Sequence, residues 1–188
     1  MDIKALAGVL VERIRTTAPL IHNITNFVVM NSTANILLAL GASPVMAHCL
    51  AEVEEMAGMA DALVLNIGTL SEDWVTSMIT AGKAANARNI PVILDPVGSG
   101  ATAFRTRSVK TLLNMVKISV LRGNASEILS LTDSDIKTRG VDASVGLDDT
   151  MGDTFRELAR DLKCIVGVSG PKDFITDGRR LWVETEKE

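Results

Sequence analysis

ALVLNIGTLSEDWVTSMITAGKAANARNIPVILD, residues 62–95, is the stretch that decides the fold. Residues 62–66 and 91–95 are short, apolar and free of alternation, as strands buried on both faces are. Residues 72–88 between them form a helix: Ser71 supplies a capping oxygen, and Glu72 and Asp73 follow near the positive end of the helix dipole. The same beat spreads in both directions. Upstream, residues 28–40 are too long and too rich in Ala and Leu for a strand and read as a helix, closed by Gly41 in a left-handed cap. Residues 43–47 follow as a strand and 51–59 as a helix. Downstream come a helix at 105–116, a strand at 118–122, helices at 125–131 and 149–162, and a strand at 164–168. Strands and helices alternating in this way predict an α/β fold with a parallel sheet.

The two ends of the chain read differently. Residues 3–15 place Ile3, Leu6, Ala7, Leu10 and Ile14 on one helical stripe, so this helix packs on something larger. Residues 173–176 and 180–183 flank Asp177-Gly178, a dipeptide suited to a tight turn with φ above zero, and predict a β-hairpin followed by a charged tail. Residues 132–146 read as a polar loop. At 188 residues, 47% hydrophobic and 22% charged, the chain has the length of one domain and ample apolar side chain for a core. No apolar run approaches the roughly 20 residues of a spanning helix, and Met1-Asp2-Ile3-Lys4 lacks the basic start of a secretory signal. We read the chain as cytoplasmic, with no membrane partner. A net charge of −4 and 3% aromatics argue against nucleic acid as a partner. Cys49 and Cys164 have no ligand spacing, so neither a zinc site nor a disulfide framework is expected.

Ligands of open parallel sheets bind beyond the carboxyl ends of the strands, and polar and glycine residues gather there in this sequence. Asp95 closes an apolar strand and precedes Gly98, Ser99 and Gly100, whose backbone N–H groups could approach an anion closely. It reads equally as a metal–phosphate ligand or as the start of a turn at Asp95-Pro96. Arg122 reads as a phosphate ligand or as a ribbon-edge ion pair. Asn124 and Glu127, three apart at a helix start, read as oxygen ligands of a hydrated Mg²⁺ or as a helix capping box. His22 lies in a polar cluster before a helix, where satisfying backbone groups outweighs a catalytic role. His48 and Cys49 are neighbours, which alone makes no nucleophile–base pair. Met30, Met56 and Met59 read as core filler; Met46, at a strand's carboxyl end, is the methionine we place at a site. Two Asp-rich turns, at 133–135 and 148–149, read as solvated loops.

Taken in order, Ile21-His22-Asn23-Ile24-Thr25-Asn26, Thr33-Ala34-Asn35, Gly41 through Ala47, Leu65-Asn66-Ile67-Gly68-Thr69, Asp95-Pro96-Val97-Gly98 and Arg122-Gly123-Asn124-Ala125-Ser126-Glu127 resemble hydroxyethylthiazole kinase. The resemblance covers nearly the whole chain. It implies a three-layer ribokinase-like fold in a single domain over residues 1–188. It also implies ATP-dependent, Mg²⁺-dependent phosphorylation of the primary alcohol of 4-methyl-5-(2-hydroxyethyl)thiazole in thiamine salvage, by a homotrimer with sites between subunits. Position by position, it implies that Met46 contacts the thiazole, with Asn26 and Gly68 lining the same pocket. Arg122 would bind the ATP phosphates, with Ser169 beside the nucleotide where the family usually has Thr. Asp95 and Glu127 would organise Mg²⁺, with Asn124 in the same Asn-x-x-Glu pattern. Phosphoryl transfer needs chiefly aligned groups and neutralised charge, which such a set provides.

In the family, the hairpin leads to a Gly-Thr-Gly-Cys segment whose N–H groups form an anion hole. This sequence ends at Glu188 without it, so no catalytic residue is assigned, and a truncated frame, a fragment or a degenerate copy is expected. Loss of an anion hole costs a few kcal/mol of transition-state stabilisation. The alternative to a kinase is therefore a binding or assembly protein that keeps the scaffold without turnover. A repair hydro-lyase on a similar scaffold is disfavoured by Met46 and the segment at 22–26.

Overall fold

The structure, a computed structural model, describes residues 3–132 and 147–185. Residues 133–146, which hold nearly all of the loop expected at 132–146 and the turn expected at 133–135, lie outside the described residues. The chain divides into two compact units, Met1–Val92 and Ile93–Glu188.

The first unit runs α1 (Ile3–Thr17), β1 (Leu20–Ile24), α2 (Met30–Leu40), β2 (Ser43–Val45), α3 (Val53–Met59), β3 (Ala62–Asn66) and α4 (Glu72–Ala87). Its strands lie in the order β2-β1-β3, all parallel, so β1 is central and His22 sits between Val45 and Leu63. The sequence hid β1. Its segment reads as polar because His22, Asn23, Thr25 and Asn26 fall in and just after the strand, yet all four are buried. Hydrogen bonds from His22 Nε2, Asn23 Nδ2 and Asn26 Nδ2 offset part of that burial, while His22 Nδ1 and Asn23 Oδ1 meet no partner. Where apolar runs mark strands, the reading holds: Leu63, Leu65 and Ile67 are fully buried, each contributing about 2 kcal/mol by burial. Ser71 caps α4 as expected, accepting from the Trp74 N–H at 3.2 Å. Gly41 takes φ 94° and closes α2 with its N–H on the Leu38 carbonyl. The stripe of α1 is only partly covered, Leu10 being 50% exposed, and Met59 is 56% exposed rather than core.

The second unit runs β4 (Val92–Asp95), α5 (Ala103–Met115), β5 (Val120–Asn124), α6 (Ala125–Leu129), α7 (Leu147–Leu162), β6 (Ile165–Ser169), β7 (Lys172–Thr176) and β8 (Leu181–Thr185). Strands β4, β5 and β6 pair in parallel, and β6, β7 and β8 pair antiparallel. The α/β class, the mainly parallel pairing and the C-terminal hairpin are as the sequence predicts. The hairpin turn has Gly178 at φ 86°. Asp148 and Asp149 belong to α7 rather than to a loop, and β5 runs to Asn124, two residues beyond the expected end. Phe155 of α7 meets Phe174 of β7 edge-on, with ring centroids 5.4 Å apart, in the core of this unit. No helix among the described residues is long and apolar enough to cross a membrane.

Candidate active site

In the first unit the carboxyl ends of three neighbouring strands are tied together. Beyond β1, Asn26 donates its amide to Asn66 Oδ1 at the end of β3 (2.7 Å), and the Gly68 N–H donates to the same oxygen (3.0 Å). Asn26 Oδ1 accepts from the Val28 and Val29 N–H groups, and the Phe27 N–H donates to Thr69 Oγ1. Glycine at 68 is required by this closeness: a Cβ there would lie 2.5 Å from Asn26 Nδ2 and 2.7 Å from its Cγ. Asn26 and Gly68, both expected at one pocket, are thus in direct contact. Met46, the third, is half-buried at the carboxyl end of adjacent β2.

Three aromatic rings complete this edge. Trp74 of α4 stacks against Phe27 at 5.0 Å and against His48 at 4.9 Å. Their role is not legible in the sequence, where positions 27, 48 and 74 are far apart. Asn66 reads in the sequence as a polar strand-end residue within the motif at 65–69, with no role of its own assigned.

His22 is fully buried and bonded through Nε2 to the Ala47 carbonyl at 2.7 Å. The backbone-satisfying reading is the one seen. Burial holds its pKa below the ordinary 6.5, against the opposing pull of the Ala47 bond and of Glu52. The unfolded chain therefore takes up a proton before the folded one does, and stability falls as pH drops through 6.5 toward the lowered value. Thermal unfolding between pH 7.5 and 5.5 should show a declining midpoint, and His22→Gln should flatten that decline. Cys49 is exposed and Cys164 buried, both free, and burial pushes the Cys164 thiol up to about 11.

In the second unit, a loop after β4 meets the start of α6. Glu127 Oε1 accepts from the Gly98 N–H at 2.8 Å, and Oε2 accepts from the Asn124 N–H at 2.9 Å. Asn124 Oδ1 accepts in turn from the Glu127 N–H at 2.9 Å, so the capping box is fully formed. Ser130 Oγ donates to the Glu127 carbonyl at 2.6 Å and is contacted by Ser99 Oγ at 2.7 Å. A Cβ on Gly123 would meet Glu127 Oε2 at 3.0 Å and Pro96 Cγ at 3.3 Å, so glycine lets the loop after Asp95 close on the helix.

The glycine loop itself is not the expected anion cradle. The Gly98, Ser99 and Gly100 N–H groups are donated to Glu127 Oε1, the Pro96 carbonyl and Thr106 Oγ1 respectively. Positive φ at Gly98 and Gly100 turns these donors inward onto protein acceptors. Arg105 backs the loop by donating to the Val97 carbonyl at 2.8 Å.

Asp95 ends β4 and is half-buried. Arg122 is exposed and pairs in register with Gly167, while Asn124 pairs with Ser169, so Arg122, Asn124 and Ser169 share one face of β5 and β6. Glu127 and Pro96 approach the other side of β5, against Gly123. Ser169 also lines a cavity of about 290 Å³ with Ala125, Met151, Gly170 and Lys172.

Polar groups at the carboxyl edge of parallel strands, in both units, place the molecule among α/β proteins that take small ligands at that edge. The hydroxyethylthiazole kinase family model matches residues 11–186, and the chain belongs to that family. Relatives include hydroxyethylthiazole kinase from Desulfotalea psychrophila, 58% identical over 96% of this chain and 66% of its own length. That from Methanocella arvoryzae is 52% identical over 96% of this chain and 67% of its own. The structure of the hydroxyethylthiazole kinase protein from Pyrococcus horikoshii OT3 is 46% identical, with TM-score 0.81, over 92% of this chain and 64% of that one. Adenosine kinase from Schistosoma mansoni, at 15% identity and TM-score 0.54, shares the fold alone. The chain spans about two thirds of the length of these kinase relatives.

Proposed function

We propose that the protein phosphorylates the primary alcohol of 4-methyl-5-(2-hydroxyethyl)thiazole, a thiamine precursor, with ATP as donor. The observation that carries this reading is identity of 52–58% to kinases of that name along 89–96% of the chain. The direct contact of Asn26 with Gly68 supports the alcohol side of it. Met46, Asn26 and Gly68 would receive the thiazole, with Asn26 held in one orientation by Asn66. Arg122 would meet the nucleotide phosphates, a guanidinium being suited to paired phosphate oxygens, with Ser169 beside the nucleotide.

Asp95 and Glu127 would hold magnesium, with Asn124 completing the same helix start. The donor set fits a hydrated ion: Glu127 spends one lone pair per oxygen on a backbone N–H and keeps the others for water. Mg²⁺ commonly binds through one or two carboxylates while keeping several waters. When bound, the ion neutralises charge on the transferring phosphoryl group. Every other requirement falls on positioning by the chain itself. A homotrimer suits the apolar residues left exposed on α1 and α2, among them Val9, Leu10, Ile36 and Leu38.

A coupled assay of ADP release with the thiazole alcohol tests the reading. Saturable turnover supports it, while saturable binding with no ADP above background supports a binding protein instead. Arg122→Ala should raise the KM for ATP by roughly 10–100-fold, the worth of a charged hydrogen bond, and leave the KM for the alcohol little changed.

A further inference from the structure

His22 lies at the centre of the first unit with no role in the proposed chemistry. It is 0% exposed and wedged in register between Val45 of β2 and Leu63 of β3, so its ring has little freedom. A carbonyl can only accept, so the proton of the ring sits on Nε2 and is donated to Ala47. The bare Nδ1 is buried and meets no partner. Leaving a polar atom unpaired costs about 1–3 kcal/mol, more than an apolar side chain would cost at a purely packed position. The bond goes to a consequential peptide. Ala47 is flanked by Met46, the residue assigned to the thiazole, and by His48, whose ring rests on Trp74. Residues 46–48 lie between the end of β2 and the turn that opens α3, where the Cys49 carbonyl accepts the Glu52 and Val53 N–H groups, so the His22 bond holds the stretch between strand and helix.

We propose that His22 is a positioning residue for the substrate alcohol: by holding the Ala47 carbonyl it sets the backbone that aims Met46 and His48 at the strand-end edge. The inference rests on the assignment of Met46 to the thiazole. It adds a residue that touches no substrate yet governs the binding of one.

The test uses the full chain and two variants. His22→Leu removes the donor at similar bulk, and His22→Gln keeps an amide N–H at about the reach of Nε2. Calorimetric titration with 4-methyl-5-(2-hydroxyethyl)thiazole should show affinity reduced at least tenfold in His22→Leu and restored to within threefold in His22→Gln. Titration with ADP should stay within twofold throughout, which a general loss of structure would not permit. Amide exchange at residues 46–49 should rise at least tenfold in His22→Leu and return in His22→Gln.

Wild-type alcohol affinity in His22→Leu, or equal loss in both variants, overturns the proposal. So does unchanged exchange at residues 46–49. If the unaltered protein binds no thiazole alcohol, the functional reading fails, and exchange alone then decides the tether. If His22→Leu does not fold, His22→Gln still decides: tight binding and slow exchange support the tether, and a loose loop overturns it.

Discussion

Gly68→Ala is expected to lower stability by about 3 kcal/mol and to abolish binding of the thiazole alcohol. The added methyl would sit 2.5 Å from Asn26 Nδ2, 2.7 Å from its Cβ and 2.7 Å from its Cγ. All three atoms belong to a side chain fixed at both ends, by Asn66 through its amide and by the Val28 and Val29 N–H groups through its oxygen. It cannot swing aside without breaking those bonds. Overpacking of this kind costs roughly 1–3 kcal/mol, and an unpaired buried amide adds about 1–3 more. For a chain of this size the melting midpoint should fall by roughly 5–12 °C, read by calorimetry. Gly8→Ala is the control. Nothing lies within 4 Å of a Cβ there, in the exposed interior of α1, so that change should stabilise by about 0.5–1 kcal/mol. Equal midpoints for the two variants would show that position 68 is not sterically closed.

Glu127→Ala should be nearly as damaging, and for a different reason. The Glu127 carboxylate takes the Gly98 N–H at 2.8 Å and the Asn124 N–H at 2.9 Å, joining the loop after Asp95 to the start of α6. Removing two charge-assisted bonds at a half-buried site should cost about 2–3 kcal/mol. Because this loop starts directly from Asp95 at the end of β4, turnover should fall about 100-fold beyond what the remaining folded fraction explains. Glu127→Gln should be intermediate, since its amide retains one oxygen acceptor while its NH₂ faces a second donor. The check is turnover per folded molecule, with unfolding followed in parallel. Full activity in folded Glu127→Ala would remove Glu127 both from the metal set and from support of the loop.

What the sequence discloses depends on which force holds each element. Strands β3 and β4 and helix α4 are held by apolar burial and by the Ser71 cap, and both leave marks in residue type. Strand β1 is as deeply buried but carries His22 and Asn23, so residue type points the wrong way, and only the pairing with β2 and β3 reveals it.

The same division runs through the candidate site. That Asn26 and Gly68 belong together follows from the family resemblance, but the reason a glycine is needed there appears only with Asn26 in place. For Asn124 and Glu127 the spacing alone leaves open a capping box or a metal pair, and the structure displays the box with lone pairs to spare. The loop at 98–100 shows the limit of reading glycines as an anion cradle. Flexibility says that N–H groups can turn, but not toward what, and here they turn toward Glu127, Pro96 and Thr106.

The central place of β1 bears on how the protein is made. It leaves the ribosome before both of its partners, β2 and β3, and the farther of the two in sequence is complete only at Asn66. Until that residue emerges, β1 has at least one unpaired edge and a histidine and an asparagine with no settled surroundings. Exposed strand edges invite pairing with other chains, and parallel pairing across long crossovers is slow to form. The early nascent chain is therefore the stage at which this protein most needs shelter from its neighbours.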